Sequence, residues 1–232
     1  MHGNNPVRKR ESRDDRRLQV AEIFPTLQGE GPYSGRKCVF VRLTGCNLRC
    51  WFCDTKWDDD NDPLMTVDEI MHQVHGMLGT SKLLVVTGGE PVRQDLVQLI
   101  RECGIYGITV QIETAGTLWQ PILTWSNVRI VVSPKTPRID ELIHKHAFAF
   151  KYVIRAGDVA LPTWNTQARQ NSVLTGGLGG MAAPRDGAPV YLSPCDEGDI
   201  EKNRANMQAV RDLAMSHDYI AGVQLHKLLD IR

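Results

Sequence analysis

Short apolar runs alternate along the chain with stretches whose apolar positions recur every three or four residues. "CVFVRLT" (38–44), "LLVVT" (83–87), "GITVQIE" (107–113), "VRIVV" (128–132), "FAFKYVI" (148–154) and "PVYLS" (189–193) predict buried strands, and "GVQLH" (222–226) predicts a last one. Between them, "TVDEIMHQVHGML" (66–78), "VRQDLVQLIREC" (92–103), residues around 138–146 and the stretch 199–216 predict helices. Thr66 and Glu69 stand at the spacing of a capping box, in which each side chain satisfies a backbone N–H of the other's turn. Strand–helix–strand alternation implies an α/β fold with a mostly parallel sheet, open or curled toward a barrel.

Polar and glycine-rich clusters fall where strands end: "TGC", "TGGEP", "ETAGT", "SPK", "SPCD" and "QLHK". Parallel strands bring their C-terminal ends to one rim, and active sites of parallel α/β folds sit on that rim. Two stretches break the pattern. "MHGNNPVRKRESRDDRR" (1–17) is polar and mostly charged, and its composition predicts a disordered tail. Residues 156–188, with "TGGLGG" and "AAPRDGAP", predict a loop inside a single domain spanning 18–232. There is no internal repeat.

Charge and composition narrow the class. The 27 Lys and Arg balance the 27 Asp and Glu, so the basic excess of a nucleic-acid binder is missing. No apolar run is long enough to span a membrane, and the first residues lack the apolar centre of a signal peptide. The 6 cysteines then point to a reducing, cytoplasmic setting. Cys38 and Cys103 sit in apolar stretches, as core thiols do. Cys195 follows a strand.

The other three crowd into "CNLRCWFCDT": Cys46, Cys50 and Cys53, spaced C-x3-C-x2-C. One reading is a zinc knuckle completed by His72, His75 or Asp54. A second is a redox dithiol of Cys50 and Cys53. A third is a [4Fe–4S] cluster on three thiolates with one iron open to an exchangeable ligand. The third assigns all three cysteines and leaves a place for something small.

The three cysteines after a first strand, followed by "GGEP" after a second, resemble the radical S-adenosylmethionine (SAM) superfamily. "EIFPTLQGEGPYSG" (22–35), "FVRLTGCNLRCWFCDT" (40–55), "VVTGGEP", "ETAGT", "VSPK" and "QLHK" are together similar to the 7-carboxy-7-deazaguanine synthases, over roughly residues 20–155 and 188–232. Glycyl-radical activases share the cysteines and a GGEP-like turn but not "TLQGEG" or the C-terminal motif. Where that family usually has Gln-Thr-His-Lys this chain has Leu225, and where it usually ends in proline this chain has Arg232. Residues 156–188 match nothing in it.

The resemblance implies a partial (βα) barrel and a lyase that uses a [4Fe–4S] cluster, SAM and Mg²⁺ on 6-carboxy-5,6,7,8-tetrahydropterin. It assigns the cluster to Cys46, Cys50 and Cys53, and Mg²⁺ to Thr55, whose alternative role is a helix cap. It places SAM on Phe52, Cys53, Asp54, Gly89, Ser133, Pro134, Lys135, Ser193, Pro194, Cys195 and Asp196, with Glu90 and Glu113 as polar supports. Leu27, Gln28, Gly29, Glu30, Arg42, Thr87, His226 and Arg232 fall to the substrate. For Arg42 the competing expectation is an ion pair with a core carboxylate, and for Glu90 an internal pairing with a nearby Lys or Arg; Lys151 fits either a site or a solvated face. The implied partners are the pterin and a one-electron donor such as a flavodoxin or ferredoxin, and a homodimer is the ordinary state of such an enzyme.

Overall fold

The computed structural model describes residues 5–11, 16–50, 53, 55, 61–156 and 181–231. Phe52, Asp54, Arg232, most of the tail and residues 157–180 of the Gly/Pro-rich stretch lie outside them, so the expectations placed there concern residues the structure does not describe.

The described residues form one nine-stranded sheet in the order β3-β1-β2-β4-β5-β6-β7-β8-β9. β1 (Arg17–Leu27), β2 (Lys37–Leu43) and β3 (Leu64–Thr66) make an antiparallel end. From β2 onward every pairing is parallel, through β4 (Leu83–Gly88), β5 (Thr109–Thr114), β6 (Val128–Val132), β7 (Ala149–Ile154), β8 (Val190–Pro194) and β9 (Ile220–Ala221). The sheet stays open, and this mostly parallel α/β arrangement is the partial barrel expected.

Side-chain alternation sorts the two faces of the sheet. Val39, Val41, Leu84, Val86, Val110, Ile112, Ile130 and Val132 join the main core with residues of the helices α1 (Val67–Leu78), α2 (Val97–Ile105), α3 (Glu141–His146) and α4 (Ile200–His217). Leu84 is fully buried there, and truncating such a leucine to alanine costs about 3 kcal/mol. The alternate positions form a smaller cluster of Cys38, Leu83 and Val85 near β1, with Phe40 and Tyr33 packed on it. They then turn polar: Arg42 on β2, Gln111 and Glu113 on β5, Lys151 on β7. Polar residues on a sheet face away from the main helix-packed core supply the floor of the site.

Helix α1 starts as its sequence predicts, with the Thr66 hydroxyl accepting from the Glu69 N–H and Glu69 accepting from the Thr66 N–H. Helix α2 starts later than expected. Pro91–Arg93 form a 3-10 turn, and Gln94 is extended because its amide bonds to the Gln19 and Thr44 carbonyls. At the other end the expected strand 222–226 does not form: the last strand is Ile220–Ala221, just before it. After Gly222 donates to the Leu192 carbonyl, the chain leaves the sheet, Leu225 donates to the Gly29 carbonyl, and Leu225–Leu228 forms the short helix α5.

Residues 5–11 depart from the disorder expected of the tail. Val7 pairs in parallel with Cys46, the Arg8 N–H donates to the Cys46 carbonyl at 2.7 Å, and Glu11 pairs with Arg93 at 2.8 Å. A polar composition limits how much a segment buries; it does not stop specific hydrogen bonds from pinning it to a finished fold.

Candidate active site

A cavity opens at the C-terminal rim of the sheet. Cys46, Cys50 and Cys53 line one side, Thr87–Gly89 from the end of β4 and Glu113–Ala115 from the end of β5 another. Ser133 and Lys135 after β6, Lys151 and Val153 on β7, and Pro194–Asp196 at the end of β8 close the ring, with Glu30 and Gln224 joining from the loop after β1 and the C-terminal turn.

Close backbone packing holds the cysteine loop in place. Gly88 has φ +135, and a Cβ there would meet the Leu43 carbonyl oxygen at 1.9 Å. A Cβ on Gly89 would lie 2.3 Å from the Gly45 oxygen and 2.8 Å from Cβ of Cys46. Only glycine lets the β4 turn approach the loop this closely. The Glu90 N–H then donates to the Gly45 carbonyl at 2.9 Å. Buried Arg93 donates to the Thr44 carbonyl at 2.9 Å, fixing the end of β2. Glu90 is fully buried and off the cavity; its carboxylate accepts from Thr114 Oγ1 and the Ala115 N–H at 2.8 Å and from the Val92 N–H at 3.1 Å. It ties the ends of β4 and β5 together through a hydroxyl and backbone amides rather than through the Lys or Arg that its alternative reading expected, while burial pushes its pKa up against those three bonds.

On the cavity floor Lys151 Nζ lies 2.7 Å from Glu30 Oε2 and 2.9 Å from Glu113 Oε2. Gln28 Nε2 and Gln111 Nε2 both donate to Glu113 Oε1. Burial opposes the ammonium charge, but Glu113 and Glu30 outweigh it and hold the Lys151 pKa above its ordinary range. Burial likewise opposes the Glu30 charge, and Lys151 outweighs it, so the Glu30 pKa is depressed. One cation between two carboxylates leaves a buried site with a negative balance and acceptor oxygens, suited to a ligand rich in N–H donors.

Arg42, in register with Thr87, pairs through Nε with Glu22 at 2.5 Å and donates from Nη1 toward Thr55 Oγ1 at 3.5 Å. The ion pair with a carboxylate is thus realised, though on a part-exposed Glu22 rather than a core residue, and the guanidinium also reaches a cavity-lining hydroxyl. Across the rim Asp196 pairs with Lys227 and accepts from the Gly198 N–H and Asn203. Lys227, then those two donors, hold its pKa well below the usual carboxylate range. Asn206, fully buried on α4, donates to the Cys195 carbonyl at 2.8 Å and so steadies the loop after β8.

The comparisons with known proteins settle the family. Residues 40–151 match the Radical SAM superfamily. The chain is similar to the 7-carboxy-7-deazaguanine synthase of Rhodospirillum rubrum, 37% identical over 242 residues with all of both chains covered. It is also similar to that of Rickettsia prowazekii, 33% identical with all of this chain and 96% of the relative covered. The chain belongs to the 7-carboxy-7-deazaguanine synthase family. The crystal structure of QueE from Escherichia coli superposes with a TM-score of 0.70 at 22% identity, covering 93% of this chain and 100% of that one, a likeness of fold.

Members of this family are radical SAM lyases that carry a [4Fe–4S] cluster, and the residues present suit one. Burial pushes the Cys46 thiol up to about 12, Leu48 N–H opposing and Glu90, Cys50 and Cys53 adding to the rise. Burial also raises Cys50, with Lys135 opposing and Cys53 adding. Desolvated thiols that repel one another as thiolates are the donor set a cationic iron cluster stabilises. His72 and His75, the zinc alternatives, lie exposed on α1 and away from the cavity.

Of the other residues that the sequence singled out, Glu30, Thr55, Thr87, Gly89, Glu113, Ser133, Lys135, Pro194, Cys195 and Asp196 line the cavity with the cysteines. Gln28 stands one hydrogen bond behind, on Glu113. Gly29 abuts His226, whose Nδ1 would be 2.1 Å from a Cβ at that position. Leu27, Pro134 and Ser193 sit behind the wall, Ser193 and Pro134 buried and Leu27 half-buried. Sequence reasoning left Lys151 undecided and missed Gln111, Gln224 and Asn5. Lys151 and Gln111 alternate with apolar neighbours on β7 and β5, and that signal was readable; Gln224 precedes a helix and carried no such alternation. Asn5 gave none.

Proposed function

We propose that this cavity converts 6-carboxy-5,6,7,8-tetrahydropterin to 7-carboxy-7-deazaguanine and ammonia. One observation carries the reading: three cysteines and a buried Glu30–Lys151–Glu113 network face each other across a single cavity. Cys46, Cys50 and Cys53 would hold the cluster, which with SAM would supply the radical chemistry that removes hydrogen from C6 of the pterin, SAM being regenerated rather than consumed.

The chain's residues bind, orient and exclude water. Glu30, held anionic by Lys151, and Gln28 accept and donate along the guanidine-like edge of the pterin, which a site built for hydrogen bonding selects strongly. Leu27, Gly29, Thr87 and His226 shape that side. Arg42 draws the substrate carboxylate toward Thr55, whose hydroxyl and that carboxylate are the oxygen ligands a hydrated Mg²⁺ needs. Gly89 leaves room for the SAM amino group. Ser133–Lys135 and Ser193–Asp196 flank the rest of SAM, with Lys135 and the Asp196–Lys227 pair fixing the rim.

A flavodoxin- or ferredoxin-like donor, a homodimer and a cytoplasmic setting complete the reading; no helix among the described residues is long and apolar enough to cross a membrane. Anaerobic reconstitution with iron and sulfide, then incubation with reductant, SAM, Mg²⁺ and the carboxypterin, tests it. The expected result is 7-carboxy-7-deazaguanine and ammonia in equal amounts. A brown, SAM-cleaving protein that leaves the pterin unchanged would overturn the substrate assignment.

A further inference from the structure

The N-terminal segment is the least expected part of the site. Asn5 is buried and lines the cavity. Its Nδ2 donates to the Thr55 carbonyl at 2.8 Å and to Cys53 Sγ at 3.5 Å. Its own carbonyl accepts from Arg49 Nε at 3.3 Å, within the cysteine loop. The next residues are tied down in turn. Arg8 N–H donates to the Cys46 carbonyl, the Lys9 carbonyl accepts from Arg93 Nη1 at 2.9 Å, and the Glu11 carboxylate meets Arg93 Nη2 at 2.8 Å. The same arginine donates to the Thr44 carbonyl, just before Cys46.

We propose that residues 5–11 are a strap belonging to the cluster site, and that Asn5 is a positioning residue whose side-chain amide sets the reduction potential of the cluster through Cys53. The inference rests on the cluster assignment above. A hydrogen bond to a ligand sulfur favours whichever state carries more negative charge on it, and a reduced cluster carries one electron more. The amide donor therefore makes the cluster easier to reduce. By holding the Thr55 carbonyl as well, the same amide ties the last cysteine to the hydroxyl residue assigned to Mg²⁺. The strap also covers the Cys46 backbone from solvent, and solvent exposure is another determinant of cluster potential.

Two measurements test this. The first compares wild type with Asn5→Leu, which keeps the volume and removes the donor. Each is reconstituted anaerobically and titrated while the reduced cluster is followed by electron paramagnetic resonance. Asn5→Leu is expected to hold iron as wild type does and to shift to a more negative potential. An unchanged potential at equal iron content would overturn the role of Asn5. A wild-type protein that binds no iron would instead sink the cluster assignment. The second is hydrogen exchange on the wild-type holoprotein. The Arg8 and Glu11 amides, both donors to backbone carbonyls, should exchange many-fold slower than in an unstructured peptide. Exchange at the unstructured rate would overturn the strap, and this result decides alone should Asn5→Leu hold too little iron to titrate.

Discussion

At the scale of single residues, Arg42 and Thr55 carry the sharpest expectations. Arg42 shares its fork between Glu22 and Thr55, a division that lysine's single ammonium cannot reproduce. Arg42→Lys should weaken pterin binding by about tenfold, roughly 1.4 kcal/mol, and leave slow SAM cleavage without substrate intact. Equal loss of both activities would make Arg42 a structural residue only. Thr55→Val removes one oxygen from a place that has few. It should abolish most of the Mg²⁺ stimulation of turnover while the iron content holds, and a variant still fully stimulated by Mg²⁺ would return Thr55 to a purely local role. That Arg42 would meet a carboxylate was readable from sequence; which carboxylate, and that Thr55 stands beside it, was not. Glu22 and Arg42 meet because β1 and β2 pair antiparallel, and β1 carries no clear strand signature.

At the scale of elements, the ends of β2 and β4 form one rigid unit. Gly88 and Gly89 leave no space for a Cβ against Leu43, Gly45 and Cys46. Gly89→Ala should push the cysteine loop outward, lowering both iron content and melting temperature. Because the obstacle is backbone rather than a flexible side chain, the loss should be about 2 kcal/mol or more. Normal iron loading by Gly89→Ala, measured by metal analysis, would contradict this packing. The parallel strands and their polar ends were legible because buried strands leave continuous apolar runs bounded by turn residues. β1 was not, since it carries Pro25 and polar alternate positions. β3 reaches only Arg17–Gln19, so the Pro25 stretch of β1 is a sheet edge, where a proline is tolerated. The start of α2 was misplaced for a related reason: Arg93 and Gln94 look helical in pattern, yet both are used as braces to neighbouring segments.

At the scale of the whole molecule, the Glu30–Lys151–Glu113 network joins the loop after β1 to β5 and β7 across the barrel-like interior. The depressed Glu30 pKa means that its stabilisation is in place above the ordinary carboxylate value, about 4.3, and is lost as pH falls through the folded value. The raised Lys151 pKa means that its stabilisation is in place below about 10.4 and is lost as pH rises through the folded value. Between these limits the network contributes a pH-independent stability. Lys151→Met strands the two part-buried carboxylates of Glu30 and Glu113 at a cost of up to about 3 kcal/mol. With Lys151 gone, burial is the larger remaining influence on Glu30 and raises its pKa above the unfolded one, so the variant's melting temperature should climb as pH is lowered from about 7.5 to about 5.5 while wild type stays level. Parallel pH profiles would show that Lys151 is not the cation of the pair.

The central claim is that one cavity sets C6 of the carboxypterin beside the 5′ carbon of SAM. Label transfer tests it most directly. Reconstituted enzyme is incubated anaerobically with carboxypterin deuterated at C6, and the recovered SAM and product are weighed by mass spectrometry. The account predicts deuterium in SAM, because the abstracted atom passes to the 5′ carbon and SAM is rebuilt, together with unlabelled 7-carboxy-7-deazaguanine in proportion. Product formed with SAM unlabelled, or SAM cleaved at the same rate with and without the pterin, would contradict it.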